Sequence, residues 1–295
     1  MKFALVGVGS GSTVRPEPLT QVAQQAETLG YESVWIPEHL AVPVEMQARY
    51  PGSADGKFPG GPGVNLHDPF VALSFVAAHT TTIKLGTGVF VLPLRNTLAV
   101  AKAVASLDVL SQGRVIFGVG VGWCEEEFEA VGMPFRDRAA RTREAVRVMR
   151  TLWTEETPQF SGKFHDFKPI GFNPKPVQDP CPPLVFGGES RAALKRAAEL
   201  ADGWCGIRYT PESVQPYVTQ LKELTQQAGR DFSQFEITVG LEPGVQPTLD
   251  TVKQFEDAGV HRLFVFAPGW VPRRKFQTDL YPQMEAFANG VMAKL

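Results

Sequence analysis

Short apolar runs alternate with longer segments of helical periodicity along almost the whole chain. Eight runs rich in β-branched and aromatic residues predict strands, and their continuous apolarity is typical of strands covered on both faces. These runs are residues 2–8, 33–37, 83–91, 114–120, 183–188, 203–207, 235–241 and 261–267. Between them, apolar positions recur at a helical spacing, which predicts amphipathic helices. The clearest helical segments are residues 18–30, 97–113, 191–203, 210–229 and 248–259.

Repeated strand-and-helix units predict an α/β fold whose strands close into a (β/α)8 TIM barrel. A doubly wound open sheet would produce the same alternation. Eight units within 295 residues favour the closed barrel, because that repeat count and length suit a single barrel. No low-complexity linker divides the chain, so we predict one domain over residues 1–295.

Two segments rich in glycine and proline interrupt the alternation and predict loop insertions at about residues 41–66 and 157–182. Long loops in compact domains commonly serve as lids or binding loops. The first insertion follows a strand, so in a barrel it would lie at the C-terminal face, where active sites are built. The second follows a helix, and this order does not by itself place it at that face.

Composition narrows the class of protein. Apolar residues make up 43% of the chain and charged residues 20%, which is ordinary for a soluble globular protein. The net charge of −2 gives no electrostatic basis for binding nucleic acid or an anionic membrane. No apolar stretch approaches the roughly 18 residues that span a bilayer, and the first residues resemble a strand more than a signal peptide. Three widely spaced cysteines favour reduced thiols, so we predict a cytoplasmic protein without a metal site.

A carboxylate and an imidazole stand side by side where the second predicted strand ends, in the stretch WIPEHL. Charged groups resist burial unless they are paired, so Glu38 and His39 predict either an exposed polar loop or a functional site. The order of units places this strand end at the mouth of the barrel, under the first long loop. That position favours the functional interpretation.

Glycine-rich stretches follow other strands. The glycines of residues 7–12 and 118–122 do not form the GxGxxG fingerprint of dinucleotide-binding proteins. The stretch VFGGESR is more specific, because a strand ends at Gly187–Gly188 and a helix begins at about Ser190. Free N–H groups at a helix start, with Arg191 beside them, can bind an anion. A tight strand–helix turn in which Ser190 is only an N-cap would have the same sequence.

Several other polar residues predict structural roles. Glu125, Glu126 and Glu127 suit the first turn of a helix, where we expect them to be solvated. Asp108 and Arg114 are expected to form a structural pair or cap. Four further histidines are not spaced like metal ligands, so we expect structural roles for them. They are His67, His79, His165 and His261.

Taken together, these stretches resemble the luciferase-like monooxygenase superfamily. The resemblance is carried, in order and spacing from the first strand to about residue 205, by SVWIPEHL, IKLGTGVFVLPLRNTLAVAKAVASLDVLSQGRVIFGVGVGW, EFEAVGMPF, EAVRVMRTLW, FSGKFHDF and VFGGESRAALKRAAELADGW. Within the superfamily, the chain is most similar to oxidoreductases that use the deazaflavin coenzyme F420. The resemblance implies a bacterial-luciferase-like (β/α)8 barrel, often a homodimer, with extended loops at the C-terminal face where the coenzyme ring lies.

The resemblance also implies roles for individual residues. His39 matches the histidine beside the reactive ring, a general acid or base, and Glu38 stands where many deazaflavin members carry aspartate. Gly88 and Val89 match a strand bulge whose unusual peptide backs the ring. The run from Gly187 to Ser190 matches the phosphate-binding turn. The full set implied to bind the coenzyme is Glu38, His39, Gly88, Val89, Val121, Gly122, Phe186, Gly187, Gly188, Glu189, Ser190 and Arg191.

The substrate pocket is expected to involve Trp123, Tyr209 and residues of the 41–66 loop. Trp123 falls where glucose-6-phosphate-oxidising members of the family carry a catalytic glutamate. This difference argues against glucose 6-phosphate as the substrate.

Three functions follow as hypotheses. The first is an F420-dependent oxidoreductase that transfers a hydride between the deazaflavin C5 and a small organic substrate. The second is an FMN-dependent monooxygenase of the same superfamily, which uses O₂ and a partner flavin reductase; the Glu38–His39 dipeptide is common in flavin members too. The third is a barrel that binds flavin without turnover.

Overall fold

The computed structural model describes residues 1–53 and 55–295. The strands are β1 (Lys2–Val6), β2 (Ser33–Ile36), β3 (Lys84–Thr87), β4 (Phe90–Val91), β5 (Val115–Gly120), β6 (Phe160–Ser161), β7 (Asp166–Phe167), β8 (Leu184–Gly187), β9 (Gly203–Tyr209), β10 (Glu236–Leu241) and β11 (Arg262–Phe266).

Parallel pairing runs around the ring β1–β2–β3–β5–β8–β9–β10–β11, and β11 pairs with β1 to close it. The two-residue β4 continues beside β5 where β3 is interrupted. The β6–β7 hairpin forms a separate two-stranded sheet. The predicted (β/α)8 barrel is therefore confirmed, and the open sheet is excluded because β3 pairs with β5.

The helices surround this barrel. They are α1 (Pro16–Thr28), α2 (Pro69–Ala77), α3 (Thr97–Leu110), α4 (Glu125–Ala130), α5 (Arg138–Thr154), α6 (Arg191–Leu200), α7 (Pro211–Gln227), α8 (Leu249–Asp257) and α9 (Tyr281–Gly290). Several begin at a side-chain cap, as at Asn96, Ser190 and Thr210, whose oxygens accept backbone N–H groups. Within the described residues, no helix is both long and apolar enough to cross a membrane.

The two ends of the barrel differ in chemistry. Its interior is filled by apolar side chains that include Trp35 and Phe264, whose rings meet edge to face with centroids 5.2 Å apart. At the N-terminal end of the strands, the Arg262 guanidinium is 1% exposed and donates to Glu32 and Glu236 at 2.8–2.9 Å. This buried ion-pair network closes the end opposite the mouth, where residues serve stability rather than chemistry.

The first long loop crosses the C-terminal mouth of the barrel. Residues 41–66 contain one short 3₁₀ turn, Gly61–Gly63, and otherwise follow an irregular path over the part that is described. The Gly11 N–H, beyond the end of β1, donates to the Asn65 carbonyl at 3.0 Å and fixes the end of the loop. Its expected position at the C-terminal face agrees with these contacts.

The second long loop runs along the outside of the barrel. Residues 157–182 contain the β6–β7 hairpin, and the Glu144 carboxylate on α5 accepts backbone N–H groups from residues 163–165 at 2.7–2.8 Å. Farther along, two N–H groups of the loop donate to Asp108 at 2.9 and 3.0 Å, near the end of α3. This insertion is therefore not a lid over the mouth. Of the two roles expected for Asp108 and Arg114, the mutual pair is wrong, because Arg114 donates to backbone carbonyls around the α2–β3 connection. One of these carbonyls belongs to Ala77, the last residue of α2, so Arg114 caps that helix.

Candidate active site

A buried imidazole–carboxylate pair lies at the mouth of the barrel. His39, just beyond β2, has its Nδ1 atom 2.9 Å from Glu127 Oε2 on α4. The His39 side chain is 9% exposed and that of Glu127 is 1% exposed. Because an ionised carboxylate only accepts hydrogen bonds, this contact keeps the proton on Nδ1 and leaves Nε2 as the free acceptor.

The position of Glu127 corrects the expectation of a solvated acidic turn. Its other carboxylate oxygen, Oε1, accepts the N–H groups of Leu40 at 2.7 Å and Ala41 at 3.1 Å. Of the three acidic residues, only Glu125 is exposed, and Glu126 is half-buried. The missed signal is helical spacing, since Glu127 and Phe128 stand three and four residues after the buried Cys124 and face inward with it. Glu127 thus anchors both the imidazole and the start of the first long loop.

Aromatic rings surround His39 on the side of this loop. Tyr50 and Phe58 come from the loop and Trp123 from the end of β5; we call these three residues the aromatic cluster. The imidazole meets the ring of Phe58 at a centroid distance of 4.6 Å and that of Trp123 at 5.5 Å. Tyr50 packs against Phe58 and Trp123 at 5.1 and 5.3 Å. The predicted pocket residue Trp123 is therefore next to His39, and the loop supplies two rings that the sequence did not single out.

The Glu38 carboxylate points toward the interrupted third strand. One of its oxygens accepts the Val91 N–H at 2.6 Å and the other accepts Arg95 Nη2 at 2.6 Å. Arg95 also binds Asp68 at 2.9 Å. Burial raises the pKa of Glu38 to about 7, against the lowering effects of the Val91 N–H and the Arg95 charge. The geometry makes Glu38 a support for this strand, and its contact with a coenzyme stays a prediction.

The strand interruption brings backbone close to the centre of the mouth. The peptide between Gly88 and Val89 is cis. A β-carbon placed on Gly187, across the barrel mouth, would lie 3.1 Å from the Val89 side chain. The bulge on β3 and the end of β8 can therefore approach each other because residue 187 has no side chain. Val121 and Gly122 continue β5 beside them, and the Gly122 carbonyl accepts Arg138 Nε at 3.2 Å.

The stretch from Gly187 to Ser190 forms a turn that leads into α6. Gly188 has a φ of +106°, a conformation that side chains disfavour. Its carbonyl accepts Trp204 Nε1 at 2.8 Å, and Ser190 Oγ accepts the Ala193 N–H at 3.2 Å. Among described residues, the N–H groups of residues 189–192 have no backbone or side-chain acceptor. Those donors are available to an anion.

A buried arginine lies on α6, the helix that follows this turn, and the sequence interpretation missed it. Arg196 on α6 is 4% exposed, its Nε has no partner among described residues, and its guanidinium stands 5.7 Å from the centroid of the Phe186 ring. Burial, together with the positive charges of Arg143 and Arg138, lowers the pKa of Arg196 to about 10. A signal was present in the sequence, because Arg196 is a charged residue on the face of α6 that otherwise carries buried apolar residues. A buried cation beside other cations is stabilised when an anion binds nearby.

Two other predicted residues have different surroundings. Tyr209 is buried against Trp204 and Tyr217, behind the turn, with centroids 5.9 and 5.2 Å away. Burial and the neighbouring Glu189 raise the pKa of its hydroxyl. The structure does not bring Tyr209 into contact with the aromatic cluster, so its place in the substrate pocket stays a prediction. The side chain of Arg191 is exposed at the start of α6.

This chain, a closed barrel with an interrupted third strand and a long loop over its mouth, can be compared with solved structures. It is similar over its length to an F420-dependent secondary alcohol dehydrogenase solved with an F420–acetone adduct. The TM-score is 0.75 at 18% identity, covering 99% of this chain and 98% of that one. At this identity the similarity shows the fold alone, a closed (β/α)8 barrel.

The luciferase-like monooxygenase family model matches residues 2–288. The chain therefore belongs to the luciferase-like monooxygenase family, as the sequence resemblance indicated. An uncharacterised protein of Mycobacterium tuberculosis (strain H37Rv) is 36% identical over 281 residues, or 93% of this chain and 94% of that one.

Two relatives with named activities differ in coenzyme. The F420-dependent glucose-6-phosphate dehydrogenase of Kineococcus radiotolerans is 34% identical over 239 residues, which cover 78% of this chain and 64% of that enzyme. The FMNH₂-dependent dimethylsulfone monooxygenase of Pseudomonas putida is 30% identical over 170 residues, which cover 56% of this chain and 47% of that enzyme. The family thus includes oxidoreductases of both coenzyme types.

Proposed function

We propose that this protein is an F420-dependent oxidoreductase that transfers a hydride between the coenzyme and a small organic substrate, with His39 as the proton donor or acceptor. The observation that carries the proposal is the buried His39–Glu127 pair at the mouth, which leaves Nε2 available to a ligand. The F420-dependent relative supports this coenzyme, since its similarity extends over 78% of the chain, against 56% for the FMNH₂-dependent relative.

The residues at the mouth fit a coenzyme that carries a phosphate. The N–H groups of residues 189–192 and the positive charge of Arg196 would hold the phosphate group. The close approach of Gly187 and Val89 provides an apolar support for a flat ring. An N-terminal helix turn occurs in any α/β protein and is weak evidence for an anion site by itself. The buried cation on α6 is the second, independent sign of such a site.

The chain's own groups have distinct parts in this reaction. When bound, the deazaflavin supplies or accepts the hydride. His39 would hold or release the accompanying proton at Nε2, and Glu127 would stabilise the imidazolium while it is charged. The aromatic cluster would exclude water from the loop side, where electrostatic interactions become stronger. Glu38 would keep the third strand in place.

A second function is an FMN-dependent monooxygenase with a partner flavin reductase, which the Pseudomonas putida relative favours. A titration of the purified protein with F420 and with FMN, read from the fluorescence of each coenzyme, separates the two. We expect F420 to bind more tightly. Tighter binding of FMN would contradict the first proposal and support the second.

The same titration tests the anion site with a matched pair of variants. Arg196→Met removes a buried cation, whereas Lys195→Met removes the neighbouring charge on α6, whose side chain is 61% exposed. A charged hydrogen bond is worth about 1.5–3 kcal/mol, so Arg196→Met should weaken coenzyme binding roughly 10- to 100-fold. Its thermal stability should stay the same or rise, because a buried unpaired charge is removed. Equal weakening in both variants, or none in either, would count against the site.

A further inference from the structure

The rim of the barrel carries a bulge that neither the coenzyme site nor the His39 pair explains. In the β9–β10 ladder Gly206 pairs with Val239 and the next pair is Tyr209 with Leu241, so β9 has one residue more than β10 between them. The extra backbone includes Arg208, whose φ is +66°. Bulges at barrel rims redirect side chains, and the left-handed position in them is normally glycine.

Arg208 has little structural reason to occupy this strained position. Its Nη1 donates to the Gly52 carbonyl of the first long loop at 3.3 Å, a long hydrogen bond. No carboxylate of the described chain lies within 4.0 Å of its guanidinium. The side chain is exposed. A glycine would form the same bulge without strain, so the backbone alone does not account for an arginine at this position.

The bulge directs that charge to the edge of the aromatic cluster. Gly52, whose carbonyl accepts the Arg208 hydrogen bond, lies against the Tyr50 ring, since a β-carbon placed on Gly52 would stand 2.6 Å from the Tyr50 hydroxyl oxygen. The guanidinium is therefore close to that ring, and its charge opposes the rise that burial causes in the pKa of the Tyr50 hydroxyl. Tyr50 packs on Phe58 and Trp123, and both of these contact His39. The cluster thus has the proton-transferring imidazole at one edge and an unneutralised cation at the other.

We propose that Arg208 binds a carboxylate of the substrate while the aromatic cluster holds the apolar body, so that the enzyme acts on small apolar or aromatic acids. This assignment rests on the proposed function, since it takes the cluster next to His39 as the substrate pocket. A planar guanidinium matches a carboxylate with two parallel hydrogen bonds, and such pairs are stronger beside apolar surface than in open water. The Gly52 contact would then hold the loop over the acid once it is bound.

The test is a binding measurement that needs no turnover. The full chain, loaded with the coenzyme that it binds more tightly, is titrated by calorimetry with phenylacetate and with the uncharged phenylacetamide. The native protein should bind the acid at least about tenfold more tightly than the amide. Arg208→Gly should lose this preference, Arg208→Lys should keep part of it, and neither should change coenzyme affinity.

Thermal unfolding distinguishes recognition from a structural role. Arg208→Gly relieves the left-handed strain, so its unfolding midpoint should be unchanged or higher. A lower midpoint would show that the arginine anchors the loop, and this would overturn the proposal. Equal binding of acid and amide, a preference retained in Arg208→Gly, or weakened coenzyme binding in that variant would overturn it too. Preference for FMN over F420 would contradict the coenzyme proposal while leaving the acid preference intact, so the two failures are distinguishable.

Discussion

Replacing Glu127 by glutamine should disable His39 without changing the size of either side chain. The carboxylate accepts three hydrogen bonds: from His39 Nδ1 at 2.9 Å, from Leu40 N at 2.7 Å and from Ala41 N at 3.1 Å. A glutamine has one accepting oxygen and an amide group that can only donate. Because the oxygen is needed by the two backbone N–H groups, the amide would face the imidazole. The imidazole proton would then move from Nδ1 to Nε2, and the acceptor at the mouth would be lost.

The expected loss of turnover rate is that of losing a general acid–base group. Loss of a general acid–base group costs about 10²–10⁴ in rate, and the wrong tautomer of His39 is equivalent to such a loss. The free energy of unfolding should fall by about 1–3 kcal/mol, because a buried charge-assisted hydrogen bond is removed. Coenzyme affinity should not change, since Glu127 contacts neither the phosphate turn nor Arg196 in the described structure.

The tautomer can be measured without knowing the substrate. Nitrogen NMR of protein with isotope-labelled histidine reports which ring nitrogen carries the proton, and a His39→Gln spectrum identifies the signal among the five histidines. We expect an Nδ1–H tautomer in the native protein and an Nε2–H tautomer in Glu127→Gln. Glu125→Gln is the matched control, because Glu125 lies in the same helical turn but is exposed.

Two results would refute this reasoning. One is an unchanged His39 tautomer in Glu127→Gln, which would mean that the carboxylate does not set the proton position. The other would be additive effects of the two residues on the turnover rate. If His39 and Glu127 act as a unit, the double variant should turn over no more slowly than His39→Ala alone. Losses that multiply in the double variant would show that the two residues act separately.

Two further predictions concern stability. Arg262→Met leaves two carboxylates without their buried partner, so the free energy of unfolding should fall by about 3–5 kcal/mol in urea titrations; an unchanged value would show that the network contributes little. For Glu144, burial works to raise the pKa, but hydrogen bonds from His165 and three backbone N–H groups hold it below its ordinary value. Its contribution is therefore complete above the ordinary carboxylate pKa and is lost as the pH falls through the lowered one. The protection factors against hydrogen exchange at residues 163–165, taken relative to the intrinsic rate at each pH, should fall on acidification, and already at neutral pH in Glu144→Gln; equal protection factors would contradict this.

The sequence determined the architecture because its signals are local and periodic. Each strand and amphipathic helix has its own hydrophobic period, so the repeat of eight units could be read without knowing any contact between them. The five predicted helices occur within three residues of their expected ends. The helix α2 was missed because its sequence, PFVALSFVA, is apolar on nearly all sides and has no period.

The sequence also placed His39, Trp123 and the Gly187–Ser190 turn at the mouth, because every parallel strand in a barrel ends at the same face. It did not reveal their partners. Glu127 is 88 positions from His39 along the chain, and only closure of the barrel brings the two side chains together. In its local sequence Glu127 looks like any acidic residue in a first helical turn.

The tertiary structure alone decided which charges are buried and which are paired. Arg196 and Arg208 are ordinary arginines in the sequence, yet one is buried on the helix that follows an open turn and the other is held in a left-handed bulge at the rim. Hydrophobic periodicity is a property of neighbouring residues and can be read from one segment. Desolvation, ion pairing and strand register depend on elements that are distant in sequence, so they exist only once the strands have closed into a barrel.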